Sequence, residues 1–415
     1  MWYHYSMKIA FFSDCYLDLT GGIVSSINAQ KSALESLGHE VYVFSTGYPK
    51  SNSDLKKLAS QNVFQVPSCK LFFYKLTPVS RRPKIIERWL LKNHPEIKDF
   101  DIFYIHYESG CSIAALRLGK KLKIPTVQVM HGREDMGESN IIPFGLRTIV
   151  AMALNWFHSW YLPHKKTVSR DHYLADTIAK AKMWTMMVNH ANYADLVLTP
   201  SAHFREKLIH YGVKKPIKVF ANGFPDALFP SDPVIKDLKP RSELRIIWHS
   251  RVSAEKRMMP FLHAIKQVRG KYRLDVYGGG GDYFRARRFA KRHHLNVVFH
   301  GNTKFEIVQN AIKNAHLDVL VSYNFDTFGM TLIEAEACGV PVFFCDPDMQ
   351  EIVPRHSFIM SADQSPKSMA EAINQILDDP AIIAKMSKVM LDNRHEILMS
   401  KRIKTLIQYF YEILS

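Results

Sequence analysis

Short apolar runs alternate with helical patterns along most of the chain, starting near Met7. In the first half they predict an amphipathic helix at Ser26–Leu37 and strands at Lys8–Ser13, His39–Ser45, Ile102–His106, Thr126–Met130, Leu196–Thr199 and Ile217–Phe220. Strands that alternate with helices form a parallel sheet that is covered by helices on both faces. The first half is therefore predicted to be a doubly wound α/β domain.

A second alternating series follows Pro225–Leu244, a stretch rich in Pro and Asp that has no clear period and is predicted to be an inter-domain linker. Strands are predicted at Arg245–His249, Arg273–Tyr277, Asn296–His300, Val319–Ser322 and Val340–Phe344, and helices at Met259–Val268, Tyr283–His293, Lys304–Asn314 and Thr331–Cys338.

The chain has 415 residues, too many for one core, so two domains are expected. We place the first at residues 1–225 and the second at 226–395, with a C-terminal helix in 396–415 that packs back on the first domain. Doubly wound domains bind ligands at the carboxyl ends of their strands, so the cleft between the two halves is the expected site.

Composition narrows the class of protein. Hydrophobic residues make up 47% of the chain and charged residues 23%, as in ordinary globular proteins. The five cysteines form no CxxC pair and no His/Cys cluster, which predicts a reduced, cytosolic setting without disulfides or structural zinc. No signal peptide is predicted, and no run reaches the roughly 18 apolar residues of a spanning helix. Any membrane contact is therefore expected at the bilayer surface.

Positive charge is concentrated in the first half of the chain. The formal net charge is +16, and residues 1–225 carry 29 Lys and Arg against 17 Asp and Glu, whereas residues 226–415 carry 26 against 22. Such a bias favours an anionic partner, whether a nucleic acid, an acidic polymer or an anionic lipid. A scattered, solvated basic surface has the same composition and stays open as the alternative.

The stretch DTFGMTLIEAEACGVPV places two acids, Asp326 and Glu334, on either side of Gly329, where an irregular segment becomes a helix. If the helix starts near Met330, the N–H groups of residues 329–332 form an anion site that a phosphate can approach closely over the glycine. Glu334 is then placed to accept hydrogen bonds from ribose hydroxyls, and Asp326 lies toward the other end of a diphosphate. Alternatively, these acids are a solvated helix residue and a turn former.

Two further loops follow predicted strands in the second half. Arg251 and Lys256, in WHSRVSAEK, lie just past a strand end, where two cations can neutralise a diphosphate without a metal; a surface loop with charges would look similar. The run Gly278–Gly281 permits close backbone approach to a ligand, although such runs are often only flexible turns. In the first half, Gly21–Gly22 is predicted to be a turn that faces the cleft. Because it is no GxGxxG fingerprint, nicotinamide binding is disfavoured.

His131 ends a strand in the basic half, in QVMHGREDM. At a strand end facing a cleft, its imidazole or its carbonyl is placed to orient a transferred group, whereas a lone histidine after a strand is more often a satisfied core or edge residue. Asp346 and Asp348 form a DxD pattern that suggests a metal site. Since no phosphate is identified opposite them, a structural turn is the favoured interpretation.

As a set, these motifs resemble those of the retaining, metal-independent glycosyltransferases of the GT-B type, family 4. The resemblance runs over nearly all of residues 7–390 and rests on KIAFFSD, GGI, LGHEVYVFS, PTVQVMHG, ADLVLTPSAHFREKL, KVFANGF, SRVSAEK and DTFGMTLIEAEACGVPV. It implies two Rossmann-like domains facing across a cleft, a nucleotide diphosphate sugar as donor, and no cofactor or metal. By position in the motifs, His131 and Asp326 take catalytic places near the transferred sugar. The implied donor-binding residues are Gly22, Arg251, Lys256, Phe328, Gly329, Met330, Thr331 and Glu334.

Two residues depart from the family pattern. Asp326 stands where the family has Glu, and its side chain is shorter by one carbon–carbon bond, about 1.5 Å. Ser250 stands where glycine usually precedes the arginine. Both departures leave the choice of donor open, and the first leaves open impaired activity.

Acceptor recognition in this fold belongs mainly to the first half. Arg81–Lys92 is predicted to be a helix with Pro83 in its first turn and an apolar stripe. This pattern suits an interfacial helix on anionic lipid and equally suits a helix packed on the domain core. The candidates for membrane or acceptor contact are Arg81, Arg82, Lys84, Arg88, Trp89 and Lys92.

The segment Asn140–His190 is unusually rich in aromatic residues and Met. Trp156, Trp160, Tyr161 and Trp184, with lysines nearby, are placed either at a lipid headgroup boundary or along an acceptor groove. The alternative is that they fill the domain core.

The overall pattern resembles bacterial transferases that glycosylate diacylglycerol or a related membrane lipid. We therefore expect transfer of a hexose, with glucose favoured, from a nucleotide diphosphate sugar to a membrane lipid or glycolipid. The enzyme is expected to be cytoplasmic and peripheral on the anionic inner face of the cell membrane. The alternatives are a transferase for a cell-surface polysaccharide or lipid-linked intermediate, and a catalytically weak partner subunit. Nucleic acid is not an expected partner because no recognised binding module is present.

Overall fold

The computed structural model describes residues 6–15, 22–48, 50–70, 78–133, 135 and 144–415. The chain divides into two compact units: unit 1 holds residues 1–221 and 402–415, and unit 2 holds residues 222–401. No helix in the described ranges is long and apolar enough to cross a bilayer.

Unit 1 is built on a seven-stranded sheet whose strands run parallel in the order β3-β2-β1-β6-β7-β8-β9. In chain order the strands are β1 (Lys8–Ser13), β2 (Glu40–Ser45), β3 (Val63–Gln65), β4 (Ser68–Lys70), β5 (Pro78–Ser80), β6 (Ile102–His106), β7 (Thr126–Val129), β8 (Leu196–Thr199) and β9 (Ile217–Val219). The pair β4 and β5 forms a separate antiparallel ribbon. The central strands are buried along their whole length, as expected where helices cover both faces.

The helices described in this unit are α1 (Gly22–Ser36), α2 (Asn52–Ala59), α3 (Pro83–Asn93), α4 (Gly110–Leu122), α5 (Arg147–Tyr161), α6 (Ile178–Tyr193) and α7 (Ala202–Tyr211), with short 3-10 helices at Pro95–Asp99 and Phe144–Leu146. Helix α4 illustrates how a helix N-terminus is fixed here. Asp14, just after β1, accepts hydrogen bonds from the backbone N–H groups of Cys111 and Ser112, at 2.8 and 3.1 Å. A carboxylate at this position satisfies N–H groups that the helix leaves unpaired and complements its dipole.

Unit 2 repeats the pattern with six parallel strands in the order β12-β11-β10-β13-β14-β15. Its strands are β10 (Leu244–His249), β11 (Tyr272–Tyr277), β12 (Val297–Gly301), β13 (Leu317–Leu320), β14 (Val342–Phe344) and β15 (Phe358–Met360). Its helices are α8 (Met258–Ile265), α9 (Tyr283–Arg292), α10 (Phe305–Asn314), α11 (Met330–Ala337), α12 (Pro366–Asp378) and α13 (Ala381–Asn393), with 3-10 helices at Asp226–Leu228, Pro347–Glu351 and Arg394–Ile397.

The last helix, α14 (Met399–Leu414), contributes its residues from Arg402 onward to unit 1. The ring of Phe410 packs edge-on against Tyr104 at 5.2 Å, and the Tyr409 hydroxyl donates to the Val219 carbonyl at 3.2 Å. The end of the chain therefore takes part in the core of unit 1.

The fold class predicted from the sequence is confirmed, because both sheets are parallel and each is interleaved with helices. Several predicted elements have bounds that differ from the structure by a few residues, strands β3, β4, β5 and β15 were not predicted, and three differences concern loops. Gly22 is the first residue of α1, so it is not part of a turn, whereas Gly21 lies outside the described residues. Strand β13 ends at Leu320, two residues earlier than predicted, and the polar segment after it starts accordingly earlier.

The third difference concerns the predicted linker. Within Pro225–Leu244, Leu238 belongs to the hydrophobic core of unit 2, and the Lys236 ammonium donates to the Lys313 carbonyl at 2.8 Å. This stretch has no periodic pattern because it crosses the surface of unit 2 in an irregular path while still burying single side chains. It is part of unit 2.

Candidate functional site

Helix α11 begins at Met330, where the motif predicted a helix start, and Gly329 is its N-cap residue. Gly329 has φ of 72°, and a Cβ there would lie 2.8 Å from Leu320 Cδ2, so only glycine fits without strain. No side chain caps this terminus, and its first turn contains no acid. The Thr331 hydroxyl is buried and has no hydrogen-bond partner in the described part of the chain. The Leu332 N–H donates to the Gly329 carbonyl at 2.9 Å, so the N–H groups of Met330 and Thr331 are the ones placed to receive an anion.

The carboxylate of Asp326, four residues before the helix, is held by two side chains. The Lys256 ammonium donates to both carboxylate oxygens, at 2.7 and 2.9 Å, and the Ser322 hydroxyl donates to Oδ2. Both ends of the Lys256–Asp326 pair are largely removed from solvent. The structure thus brings together two predicted site residues that are 70 positions apart in sequence.

Arg251 lies on a loop whose path is fixed by the glycine run. A Cβ at Gly278 would lie 2.3 Å from the Ser250 carbonyl oxygen, and one at Gly280 would lie 2.4 Å from that of Val252. The glycines therefore allow close approach of the chain's own backbone. The Arg251 side chain is mostly exposed and pairs with Glu255 at 3.2 Å, which leaves the guanidinium accessible to a ligand.

Glu334, the predicted ribose acceptor, is bound by a residue that the sequence did not single out. His249 Nδ1 lies 3.2 Å from a Glu334 carboxylate oxygen, and its Nε2 contacts the buried carboxylate of Asp318. Burial alone would lower the pKa of His249, but the two carboxylates outweigh it and raise that pKa to about 10. The imidazole is therefore charged at neutral pH and donates to both acids.

The DxD pattern forms a structural turn. The buried Asp346 carboxylate accepts hydrogen bonds from the backbone N–H groups of Asn324 and Asp348, at 2.7 and 3.1 Å. It thereby caps the following 3-10 helix and anchors the segment that leads to Asp326. In the ranges that the structure describes, no group of three or more His, Cys, Asp or Glu side chains is arranged to hold a metal ion.

In unit 1, His131 follows β7 and stacks on His106, with the two rings 5.1 Å apart. His131 Nε2 lies 2.8 Å from His106 Nδ1. Removal from solvent lowers the pKa of His131 to about 4, and burial followed by repulsion from His131 lowers that of His106. Both rings are therefore neutral at physiological pH, so His131 can offer a hydrogen bond to a sugar hydroxyl and carries no charge.

The Arg81–Lys92 prediction of a helix with proline in its first turn is confirmed by α3. The apolar stripe, however, does not face outward as one surface. Ile86 and Leu90 are fully buried in the unit 1 core, Trp89 packs against the same core, and Ile85 is exposed. For these side chains the core-packed alternative is correct, because the helix must cover the sheet beside it. The cations Arg81, Arg82, Lys84, Arg88 and Lys92 remain exposed around it.

The aromatic segment Asn140–His190 divides between core and surface; its residues 140–143 lie outside the described ranges. Trp184 and Tyr161 are buried in unit 1, as the core alternative predicted. Trp156 and Trp160 are exposed on α5 with their rings 4.4 Å apart.

Comparison with known families decides the identity of the chain. The sequence model described as Glycosyltransferase Family 4 matches residues 20–228, and the one described as Glycosyl transferases group 1 matches residues 235–394. The chain belongs to the group 1 glycosyltransferases of the GT-B type. It is therefore a glycosyltransferase.

Similar glycosyltransferases are found among curated proteins and solved structures. The alpha-monoglucosyldiacylglycerol synthase of Streptococcus pneumoniae is 23% identical over 352 residues, which cover 81% of this chain and 70% of that protein. The lipopolysaccharide 1,6-galactosyltransferase of Escherichia coli K12 is 28% identical over 167 residues, 38% of this chain and 45% of that protein. The Anabaena protein HepE in complex with UDP has a TM-score of 0.68 at 16% identity and covers 98% of this chain and 100% of that one.

The sequence analysis did not predict His249, Asp318 or Ser322, which hold the carboxylates of Glu334 and Asp326 in place. His249 directly precedes the SRVSAEK motif, and Asp318 is an acid inside a strand that is otherwise apolar. An acid at a buried strand position must find a partner, so Asp318 was the available signal. The contact of Ser322 with Asp326 had no comparable signal, since it depends on where β13 ends.

Proposed function

We propose that this glycosyltransferase moves a hexose, with glucose favoured, from a nucleoside diphosphate sugar to a membrane lipid such as diacylglycerol or a glycolipid, with retention at the anomeric carbon. The observation that carries the donor part is the uncapped N-terminus of α11 at Gly329, next to the Lys256–Asp326 pair. A helix N-terminus and a lysine together stabilise the negative charge of a departing diphosphate. No metal is needed for this role.

The proposed reaction breaks the bond between the anomeric carbon and the diphosphate oxygen. The acceptor hydroxyl forms its new bond to the same face of that carbon, and its proton passes to the departing diphosphate. Arg251, Lys256 and the start of α11 (Phe328, Gly329, Met330 and Thr331) receive the charge, and Glu334 holds the ribose. Asp326 positions the sugar, and Gly22 and His131 of unit 1 keep the diphosphate and sugar roles that the family motifs imply.

The acceptor part of the proposal is supported by the name of the pneumococcal relative, which contains both glucosyl and diacylglycerol, and by the basic first half of the chain. On this proposal the enzyme works as a peripheral protein on the inner face of the cell membrane. The lipopolysaccharide relative favours a second candidate, an acceptor that is a lipid-linked or cell-surface saccharide.

A third candidate, a catalytically weak partner subunit, is favoured by one observation. The short Asp326 side chain is already bound by Lys256 and Ser322, so a ligand must displace these contacts before the carboxylate can reach a sugar.

The test is a panel of sugar nucleotides offered to the purified chain with diacylglycerol, a glycolipid or a lipid-linked saccharide in detergent micelles. We expect nucleoside diphosphate release and an α-linked product from an α-linked donor, undiminished by EDTA. Lys256→Ala should lower kcat/KM by about 100-fold or more, since it removes charge stabilisation from the leaving group. Asp348→Asn is the matched control, because this acid lies in the DxD turn, and it should leave the rate within about twofold.

The outcomes separate the candidates. Transfer only to saccharide acceptors would replace the lipid proposal with the second candidate. If the purified chain turns over no sugar nucleotide, and Asp326→Asn is no less active than the unmodified chain, the partner-subunit candidate is favoured. A rate that EDTA abolishes would contradict the metal-free role of Lys256.

A further inference from the structure

Two polar residues of helix α5, Asn155 and His158, face inward. Asn155 donates to the Lys182 carbonyl of α6 at 2.9 Å. His158 is buried, with its Nδ1 at 2.7 Å from His164 Nε2 and its Nε2 at 3.1 Å from His190 Nδ1. Two polar side chains that would normally face water are thus used to attach the helix to its own unit.

The outward side of α5 is apolar. Ile149 is 64% exposed, Met152 51%, Trp156 59% and Trp160 67%, and Ala153 is exposed as well. At about 100° per residue these five positions fall within an arc of about 100° on the helix surface. We call these five residues the α5 face. No charged or hydrogen-bonding side chain in α5 interrupts it, whereas a helix facing water carries its polar residues on this side.

The charge of the residues that follow α5 in sequence indicates the kind of surface that the α5 face binds. Residues 144–170 contain no Asp or Glu, and Lys165, Lys166 and Arg170, which follow the helix, are exposed. Tryptophan is enriched at membrane interfaces, where its ring is apolar and its indole N–H reaches the wet headgroup layer. An apolar face with aromatic residues beside a basic, acid-free segment matches an anionic lipid surface.

A second copy of the chain fits the α5 face less well. In a two-fold symmetric contact the same patch meets itself, so Lys165, Lys166 and Arg170 of both copies would add like charge to one assembly, with no acid in residues 144–170 to pair them. The length of α5 also fits an interfacial position. Its 15 residues span about 22 Å, less than the roughly 30 Å of a hydrocarbon core, so it lies along the bilayer plane.

We infer that the α5 face is the surface by which this glycosyltransferase docks on an anionic bilayer. Trp156 and Trp160 insert into the boundary between headgroups and acyl chains, and the cations after the helix contact the headgroup phosphates. The inference rests on the proposed function for its purpose, which is to bring the enzyme to a lipid acceptor. The binding itself is measurable without turnover.

The test is sedimentation of the full chain with phosphatidylglycerol–phosphatidylcholine vesicles. The double variant Trp156→Ser and Trp160→Ser should bind at least about tenfold more weakly, since two large apolar side chains no longer leave water on binding. Single serine substitutions at two exposed isoleucines form a matched pair. Ile149→Ser should weaken binding, and Ile307→Ser, 54% exposed on α10 of unit 2, should not. Equal binding of the double variant and the unmodified chain would overturn the inference.

A second measurement compares the unmodified chain with the double variant. Vesicles with bromine on the upper part of the acyl chain should quench the exposed indoles of Trp156 and Trp160, and this quenching should be lost in the double variant, which keeps Trp89 of α3 and the buried Trp184 and Trp248. An unquenched spectrum under conditions where the chain sediments would show that another surface binds. Sedimentation velocity tests the alternative that a second copy of the chain covers the α5 face. If the unmodified chain is a dimer, the double variant is a monomer and both bind vesicles equally, the α5 face is a protein interface.

The same proteins separate this inference from the proposed function. If the chain turns over donor with a micellar acceptor but the α5 substitutions do not change its binding to vesicles, the proposed function stands and the docking surface is refuted. Vesicle binding that depends on Trp156 and Trp160 in a chain that glycosylates no lipid keeps the docking surface and refutes the proposed acceptor.

Discussion

His249 shows how much of the candidate donor site depends on a single side chain. It ends β10 and carries a proton between two carboxylates, Asp318 inside the sheet and Glu334 on α11. A charged hydrogen bond to Glu334 fixes the carboxylate in one orientation before a ligand arrives, which reduces the ordering cost of binding. On the proposed function, His249 is therefore a positioning residue that acts on the donor through Glu334.

Replacing His249 by glutamine keeps a hydrogen-bonding side chain but removes the positive charge. We expect the KM for the donor to rise about tenfold while kcat stays within about threefold, since on the proposed function Glu334 binds the ribose, a part of the donor that does not react. Steady-state kinetics over a range of donor concentrations measures both constants. His316→Gln is the control, because His316 binds the Arg245 N–H near the start of β10. A donor KM that is unchanged in His249→Gln would refute the positioning role.

At the scale of elements, the loop that carries Arg251 and the run Gly278–Gly281 support each other. Gly278 and Gly280 have φ of 124° and 151°, and each lies against a backbone carbonyl of the Arg251 loop. The hydrogen bond from the Val252 N–H to the Gly279 carbonyl, at 2.8 Å, joins the two segments. The position of Arg251 thus depends on glycines almost thirty residues away in sequence.

Alanine at Gly278 or Gly280 combines a steric conflict with a strained φ, so we expect a loss of roughly 2 to 4 kcal/mol in the free energy of unfolding. Gly281 is the matched control within the same run. A Cβ there meets nothing within 4 Å, so Gly281→Ala should change the free energy of unfolding by less than about 0.5 kcal/mol. Urea unfolding measures all three variants. Equally small effects at the three positions would mean that the run is only a flexible turn.

The positions of helices and strands were easier to predict than whether the apolar side of a helix faces the core or the outside. The buried strands at the centre of each sheet were predictable because parallel sheets read as apolar runs, with errors at strand ends such as that of β13, whereas the short edge strands β3 and β15 were not predicted. The apolar stripes of α3 and α5 look alike in sequence. Periodicity shows that a helix has an apolar side but does not say what covers it. In the structure Ile86 and Leu90 face the core, whereas Trp156 and Trp160 face outward.

The site shows the same limit. Motifs predicted Arg251, Lys256 and Glu334 because they stand at recognisable strand ends and helix starts. The Lys256–Asp326 and His249–Glu334 pairs join residues 70 and 85 positions apart, so only the packing of β10 against β13 reveals them.

At the scale of the whole molecule, buried histidines give the two units opposite dependences on pH. Unit 1 holds its buried histidines neutral: burial lowers the pKa of His131 to about 4 and of His190 to about 3, and lowers those of His106 and His158. Unit 2 holds His249 charged, with its pKa raised to about 10. Unit 2 also contains one buried histidine of the neutral kind, since burial, followed by the charges of Arg245 and Lys236, lowers the pKa of His316 to about 4.

The signs follow from proton binding. Below pH 6.5 the histidines of the unfolded chain bind protons, whereas the buried histidines of folded unit 1 stay neutral. The stability that they contribute is therefore complete above pH 6.5 and is lost as pH falls toward 4 and 3. For His190 the loss at pH 5 is about 2 kcal/mol. His249 contributes stability below pH 6.5, and that stability is lost as pH rises from 6.5 toward 10.

Acid should therefore open unit 1 before unit 2, and mild alkali should weaken unit 2 while sparing unit 1. Hydrogen exchange at pH 5, 7 and 9, corrected for intrinsic rates, measures this unit by unit. We expect protection in β7 and α6 to fall between pH 7 and 5, and protection in β10 and β13 to fall between pH 7 and 9. His190→Gln should reduce the acid effect in unit 1, whereas His172→Gln, at an exposed position, should not. If both units lose protection together at pH 5, the acid sensitivity does not arise from the buried histidines of unit 1.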